Sequence, residues 1–290
     1  MKTLNIPNSL SPWIGKFSFL ILGLSLTLLV SCNNDETTPD LSAEEIEDAN
    51  LDAIEDSYFD DGDDLVTEAF ASTDADLSGG RVYSDERLLC ATLTRSGSKA
   101  EGGLRVDFGT GCTDPRGNVR TGAIVVVHQG SWNEAGSQWT VSFEAYSING
   151  IQIEGTRKIT VVSVTDSLTI YDVVLTGGQL TWPDGRVATR EVNRRREHER
   201  NENNLLDRLI IYGSAQGTFR NGRSYSIEIL EKLIYRRACA AEGVIIPVSG
   251  VKLIKHGDRE LTVDYGDGTC DNFVTLTNKN GRTVRYEVKK

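Results

Sequence analysis

Apolar and polar residues alternate with a period of two along much of the chain after residue 81. Residues 140–145 and 225–229 show the alternation clearly. A period of two is the spacing of a strand that buries one face. Asn-Gly and Asp-Gly pairs interrupt these segments and favour the positive φ angles of tight hairpin turns. The pairs lie at residues 149–150, 184–185, 221–222 and 280–281. The pattern predicts an all-β fold over residues 81–290, an antiparallel meander that forms a sandwich or an open barrel.

The segment before the strands has a different pattern. Residues 42–80 show loosely spaced apolar positions that indicate helix, and Ser42 with Glu45 has the spacing of a capping box. The acidic sequence at 60–64, with a glycine at its centre, predicts a turn that divides the helix in two. We therefore interpret residues 42–80 as a solvated, acidic helical spacer. The alternative interpretation is an acidic patch that binds calcium or a partner.

Net charge is distributed unevenly along the chain. The total is −11, but residues 33–80 carry 17 Asp and Glu and no Lys or Arg. Residues 81–290 carry 29 basic and 25 acidic residues. The acidity therefore belongs to the segment before the β region, and the β region is close to neutral. The overall charge excludes no partner of that region.

The first residues have the features of an export signal. Lys2 and Lys16 precede an apolar segment of 14 residues at 17–30. Such a segment is shorter than the roughly 20 residues that a membrane-spanning helix needs and is typical of a signal-peptide core. The segment ends in Leu-Val-Ser-Cys, with the cysteine at position 32.

The Leu-Val-Ser-Cys sequence resembles the lipobox of bacterial lipoproteins. The resemblance implies a signal peptide over 1–31, lipidation of Cys32, and a polar tether over 32–41. The acidic residues after Cys32 resemble the surface-export signal of Bacteroidota lipoproteins, and the whole arrangement resembles uncharacterised lipoproteins of that group. It implies a lipid anchor in the outer membrane, with the protein at the cell surface or on the periplasmic face.

The other four cysteines predict disulfides. Residues 106–112 and 263–270 repeat a Val-Asp-aromatic-Gly pattern that ends in Cys, and each is preceded by one further Cys. Because an exported protein reaches an oxidising compartment, we predict the pairs Cys90–Cys112 and Cys239–Cys270. Four buried free thiols are the alternative. The repeat leaves open whether residues 81–290 form one domain or two subdomains.

One segment partly matches a calcium-binding loop. Asp74, Asp76, Ser78 and Asp85 have the spacing of an EF-hand loop. Arg81 replaces the usual apolar residue, Asp85 replaces the bidentate Glu, and a strand pattern follows. These four residues are therefore a candidate calcium site, but calcium binding is the less favoured interpretation. The sequence indicates no other metal site and no cofactor.

Three further groups of residues have features of a binding or catalytic site. Seven arginines between 186 and 208 alternate with acidic residues, and we interpret them as a solvated cross-strand ladder that binds no nucleic acid. Trp132, Trp139 and Trp182 suit packing more than sugar stacking. Three aspartates suit turn hydrogen bonds more than glycoside hydrolysis. The aspartates are Asp107, Asp264 and Asp267.

No motif of a known enzyme class occurs, so we expect a protein without catalytic activity. The favoured hypothesis is a lipid-anchored binding or structural protein with an unknown protein or glycan partner. The alternatives are a carrier of an apolar ligand in a β cavity and a glycan-binding or glycan-active protein.

Overall fold

Fourteen strands and one long helix make up most of the fold. The computed structural model describes residues 41–70, the backbone of 71–78, and residues 85–98, 100–244 and 246–288. The helices are α1 (Ala43–Ser78) and α2 (Arg237–Ala241), with 3₁₀ turns at Glu86–Leu88 and Asn204–Leu206. The strands are β1 (Thr92–Gly97), β2 (Glu101–Asp107), β3 (Cys112–Thr113), β4 (Val119–Gln129), β5 (Gln138–Ile148), β6 (Ile151–Val164), β7 (Leu168–Thr181), β8 (Val187–Glu199), β9 (Arg208–Thr218), β10 (Ser224–Arg236), β11 (Ser249–His256), β12 (Arg259–Asp267), β13 (Phe273–Asn278) and β14 (Thr283–Glu287).

The strands form one continuous antiparallel sheet. Sequential strands are neighbours from β4 to β14, β2 lies between β1 and β4, and the short β3 pairs only with β4. The hydrogen-bonded order ends at β1 and β14 and does not close within the described residues. The predicted all-β meander is confirmed, in the form of a single open sheet.

The predicted Asn-Gly and Asp-Gly turns all join consecutive strands. Asn149 and Gly150 connect β5 to β6 with φ angles of 52° and 78°, the conformation that this pair adopts at low cost. In an antiparallel meander, alternate connections lie at the same end of the sheet. The turns at 149–150, 184–185, 221–222 and 280–281 therefore share one end, which we call the turn end.

α1 differs from the prediction for residues 42–80 in two ways. The capping box is present, with the Glu45 amide donating to Ser42 Oγ at 3.3 Å. However, the helix continues through the acidic residues 60–64, where a turn was predicted. At Gly62 within the helix, a Cβ would approach Phe143 Cε1 to 3.3 Å, so the absence of a side chain makes room for the ring. No helix among the described residues is long and apolar enough to cross a membrane.

The interpretation of α1 as a solvated spacer was wrong, because the helix packs on the inner face of the sheet. Phe59, Leu65, Val66 and Ala69 are buried with the apolar residues of the sheet. Phe70 meets the Trp139 ring edge-to-face, with 4.3 Å between centroids. The described residues of α1 and the sheet form one compact unit.

Alternation along the strands separates a buried inner face from a solvated outer face. In β8, Ala188, Arg190 and Val192 are buried, whereas Thr189 and Glu191 between them are exposed. The outward positions of the long strands are mostly polar, which a sheet face in water requires.

Both predicted disulfides are present, as Cys90–Cys112 and Cys239–Cys270. They close loops with sequence separations of 22 and 31 residues. Cys112 lies in β3, so the first bridge attaches Cys90 to the sheet, whereas the second bridge joins Cys239 of α2 to the segment between β12 and β13.

Removal of either disulfide should reduce stability without changing the fold. We expect Cys239→Ala/Cys270→Ala to lower the free energy of unfolding by roughly 3 kcal/mol, because the unfolded chain regains the entropy of an open loop. Urea unfolding measured beside the wild type under oxidising and reducing conditions checks this. Under reducing conditions neither protein has a disulfide, so their free energies of unfolding should be equal. A difference that persists under reducing conditions would contradict the loop-entropy explanation.

Candidate functional site

A stripe of carboxylates runs along the buried side of α1. Five acidic residues of the helix are at most 9% exposed. They are Asp48, Asp52, Glu55, Asp56 and Asp63. Their spacing of three, four and seven residues places them on one face of a helix. Buried carboxylates need counter-charges, because removal of an ion from water costs several kcal/mol.

The counter-charges come from the inner face of the sheet. Arg190, Arg194 and Arg196 occupy alternate positions of β8, so all three side chains point toward the helix. Arg157 of β6 and Lys252 of β11 add two more cations from strands on either side. All five residues are at most 4% exposed. The contact between helix and sheet is therefore electrostatic along much of its length.

The centre of the interface has the densest contacts. Asp56 accepts two hydrogen bonds from Arg194, from Nη1 to Oδ1 and from Nη2 to Oδ2, both at 2.9 Å. Arg190 Nη2 lies 3.0 Å from both Asp52 Oδ1 and Asp56 Oδ1. Lys252 Nζ lies 2.9 Å from Asp52 Oδ2 and 3.3 Å from Asp56 Oδ2. Two carboxylates thus share three cations.

These contacts keep the central groups ionised. Burial alone would raise the pKa of Asp56, but the charges of Arg190, Arg194 and Lys252 outweigh it and hold that pKa well below its ordinary value. Burial would likewise lower the pKa of Lys252, yet the charge of Asp52 raises it well above its usual range.

Glu55 behaves differently from the neighbouring Asp56. Its Oε1 accepts from the Arg220 amide at 3.1 Å, and its Oε2 is buried without a hydrogen-bond partner among the described residues. Burial raises the pKa of Glu55 to about 8, although the charge of Arg190 opposes the shift. At neutral pH this carboxyl is therefore mostly protonated inside a cluster of ionised groups.

A second cluster lies toward the C-terminal part of α1. Asp63 Oδ2 lies 2.9 Å from Arg157 Nη2 and 3.0 Å from Arg196 Nη1. Arg196 Nη2 also reaches Asp60 Oδ1 at 2.5 Å. These pairs neutralise part of the acidic segment at 60–64, which explains why it remains helical.

Two further contacts hold the helix at its sides. Asp61 Oδ2 accepts from Arg120 Nη1 of β4 at 2.6 Å, and Arg120 Nη1 also donates to the Tyr146 hydroxyl at 2.7 Å. Near the start of the helix, Arg223 from the turn end donates through Nε to Asp48 Oδ1 at 2.9 Å. The N-terminus of α1 therefore lies at the turn end of the sheet.

The outer face carries an open groove of about 770 Å³ across strands β7–β11. Its outward-facing floor consists of two rows of side chains that are paired across the strands. One row joins Glu191, Gln216, Ser226 and Lys255. The other joins Val174, Asn193, Ser214, Glu228 and Leu253. Most side chains that face outward in the groove are polar, whereas the inner face of the same strands packs against α1.

The arginines between residues 186 and 208 include exposed and buried side chains, and the prediction of a solvated ladder was correct only for exposed ones such as Arg195. Arg195 pairs with Asp172 across β7 and β8 at 2.8 Å, as an exposed ladder requires. Arg190, Arg194 and Arg196 instead lie in the interior with the carboxylates of α1. They were predicted on the solvated face because a charged strand with interleaved acidic residues normally faces water, whereas the alternation along β8 turns these three side chains inward.

The tryptophans have the packing role that the sequence favoured. Trp139 and Trp182 are buried, and Trp132 meets the edge of Trp139 with 4.7 Å between ring centroids. Arg220 stacks on Trp182 at 4.7 Å from the ring centroid. None of the three lines the outer groove.

The predicted aspartates hold turns. Asp107 Oδ1 accepts from the Gly109 amide and Asp264 Oδ1 from the Gly266 amide, both at 2.8 Å. Asp267 Oδ1 accepts from the Thr269 amide and hydroxyl. The hydrogen bonds match the turn interpretation of these residues.

The calcium candidates do not form a loop in the described part of the chain. Positions 74, 76 and 78 belong to the helical backbone of α1, and nothing is described of their side chains. Asp85 lies at the start of a 3₁₀ turn and accepts from Arg87 Nε at 3.0 Å. The described residues contain no group of three or more potential metal ligands. Cys32 lies outside the described residues.

One signal in the sequence pointed to the helix–sheet interface. Aspartates recur every four residues at 48, 52, 56 and 60, which places them on one face of a helix. Arginines occupy positions 190, 194 and 196, which are separated by even numbers of residues and therefore lie on one face of a strand. Read together, the two periodicities indicate complementary surfaces.

Comparison with known proteins adds no family. No protein-family model matches the chain, and neither the curated proteins nor the solved structures contain a significant match.

Proposed function

We propose that this chain is a lipid-anchored, non-catalytic binding or structural protein of the outer membrane. The observation that carries the proposal is the filled interior: α1 occupies the inner face of the sheet, and its carboxylates neutralise the cations there. Such an interior produces a rigid scaffold and leaves the outer face and the loops for contact with a partner.

The filled interior disfavours a carrier of an apolar ligand. A carrier needs a continuous apolar cavity that encloses most of its ligand. Here the space inside the curved sheet holds α1, and its centre is lined by Asp52, Asp56, Arg190 and Lys252. An apolar ligand would have to displace these ion pairs.

The electrostatics of the interior also support a non-catalytic role. Shifted pKa values occur at active sites and in structural ion-pair networks alike, and accessibility separates the two cases. Glu55, Asp56 and Lys252 have shifted pKa values but are buried between helix and sheet, away from any substrate. The inward arginines of β8 are likewise neutralised by α1, which supports the absence of a nucleic-acid surface.

The anchor is proposed from the sequence. The lipobox-like residues 29–32 and the polar residues that follow support lipidation of Cys32, and multiple acyl chains give a stable membrane attachment. The acidic residues beside Cys32 support export to the cell surface.

Substitution of Cys32 tests the anchor. We expect Cys32→Ala to abolish labelling by a clickable palmitate analogue and to move the protein from the membrane fraction to the soluble fraction. The matched control is Cys239→Ala/Cys270→Ala, which removes two other cysteines and should stay labelled and membrane-bound. Retention of the Cys32→Ala protein in the membrane fraction would refute the proposed anchor.

A further inference from the structure

The outer groove differs from an ordinary solvated sheet face because it is concave. Between β8 and β11, its floor extends over about 14 Å at the usual strand spacing. Register shifts border it on both sides, between Leu175 and Gly178 in β7 and between Ile229 and Glu231 in β10. β-Bulges of this kind increase the local twist, which curves the sheet around the groove.

The floor presents hydrogen-bonding groups that the described protein does not use. Asn193, Ser214, Gln216, Ser226 and Glu228 form no side-chain hydrogen bond with any described residue. Two amides supply donors and acceptors, two hydroxyls supply both, and the carboxylate accepts. The small serines occupy the centre of the floor and leave room above it.

The charges at the edges of the groove are already engaged. Lys255 Nζ lies 3.1 Å from Glu260 Oε1, and Glu191 Oε1 accepts from the Gly177 amide at 2.7 Å. Glu228 is the remaining charge among the lining side chains. An anionic ligand would face this carboxylate without a free cation to oppose it.

The chemistry of the groove selects one class of ligand. Val174 and Leu253 are the apolar side chains that face outward in it, too few for an apolar ligand. The backbone groups of β8–β11 are used in the sheet, so an extended peptide finds no strand edge there. A neutral polyhydroxylated chain matches paired donors and acceptors, and its C–H faces suit the two apolar residues.

We propose that the outer groove over β8–β11 binds a neutral oligosaccharide through Asn193, Ser214, Gln216, Ser226 and Glu228. This names the ligand class for the binding role proposed above. The floor is long enough for several linked sugar units, so affinity should increase with chain length up to the length of the groove.

The test uses the full chain in a detergent without a sugar headgroup. Cellotetraose, xylotetraose, laminaritetraose, maltotetraose and mannotetraose are titrated by calorimetry, and hydrogen–deuterium exchange locates the contact. We expect at least one of them to bind and to protect peptides of β8–β11. Ser214→Trp, which fills the groove, should weaken that binding at least tenfold. Thr140→Trp, an equally exposed outer-face change on β5, should leave it unchanged within twofold.

The outcomes are separable from those of the anchor test. Absence of binding by all five tetrasaccharides, protection outside β8–β11, or equal effects of the two tryptophan variants would overturn the groove proposal. Tighter binding of an acidic oligosaccharide such as a tetragalacturonate, or of an extended peptide, would also overturn it. None of these results changes the expected behaviour of Cys32→Ala, which tests the anchor alone.

Discussion

A chain that lacks residues 41–78 is expected to lose cooperative folding altogether. Without α1, the apolar side chains of the inner face would be exposed to water, and the cations there would lose their counter-charges. If the sheet instead buried these cations unpaired, each would cost several kcal/mol, and together they would exceed the 5–15 kcal/mol or so that stabilises a typical domain. The cations whose carboxylate partners lie in α1 are Arg157, Arg190, Arg194, Arg196 and Lys252. Circular dichroism and urea unfolding of the truncated chain, beside the full chain, measure the loss.

A peptide added in trans separates this explanation from general damage by truncation. A peptide of residues 41–78 should restore strand signal and a cooperative urea transition. The same peptide with Asp52, Asp56 and Asp63 changed to Asn should not, because it keeps the apolar contacts but lacks the charges. A truncated chain that unfolds cooperatively on its own would show that the helix is dispensable to the sheet.

The sheet could be predicted from sequence because its determinants are local. Alternation within a strand and an Asn-Gly pair between two strands each act over a few residues. The turn at 149–150 and the alternation of 140–145 therefore identified β5, its hairpin and its buried face. Both disulfides were also predicted, because the repeated pattern before Cys112 and Cys270 marked two equivalent units.

The position of α1 could not be predicted in the same way. Its buried side contains almost as many carboxylates as apolar residues, and acidic residues without local partners are normally solvated. The partners of Asp52 are Arg190 and Lys252, which lie 138 and 200 residues further along the chain. No local pattern connects positions so far apart, and only the fold brings them together.

The arginines of β8 also have partners that their neighbours in sequence did not predict. The interleaved acidic residues suggested that Arg194 and Arg196 belong to a solvated cross-strand ladder. In a strand, however, adjacent residues point to opposite faces. Parity along β8 therefore determines that Arg195 pairs with Asp172 on the outside and that Arg194 pairs with Asp56 on the inside.

Neutralisation of Asp56 is expected to destabilise the fold severely. Asp56→Asn leaves Arg194 without its two-point partner and removes one of the two carboxylates that share Arg190 and Lys252. Loss of one member of a buried ion pair costs about 3–5 kcal/mol. Urea unfolding at pH 7 checks this value. An effect below 1 kcal/mol would show that water reaches these cations, in conflict with their burial.

The adjacent Glu55→Gln variant should change stability in the opposite direction. The folded pKa of Glu55, about 8, lies above the ordinary value of 4.5. The contribution of this carboxyl to stability is therefore fully present below pH 4.5 and is lost as the pH rises toward 8. At pH 7 the loss amounts to about 3 kcal/mol. Gln has nearly the shape of a protonated Glu and never ionises, so it avoids that loss.

The two variants together distinguish an ionised carboxylate from a protonated one on adjacent residues. Glu55→Gln should be more stable than the wild type at pH 7, and the difference should fall below about 1 kcal/mol at pH 5, where the unfolded Glu55 is itself partly protonated. Asp56→Asn should remain less stable at both values, because the folded Asp56 stays ionised across that range. Equal destabilisation by both substitutions would mean that Glu55 carries a negative charge in the folded protein. The interface would then contain one more ionised carboxylate, and Arg190 would be its counter-charge, because the charge of Arg190 already opposes the rise of the Glu55 pKa.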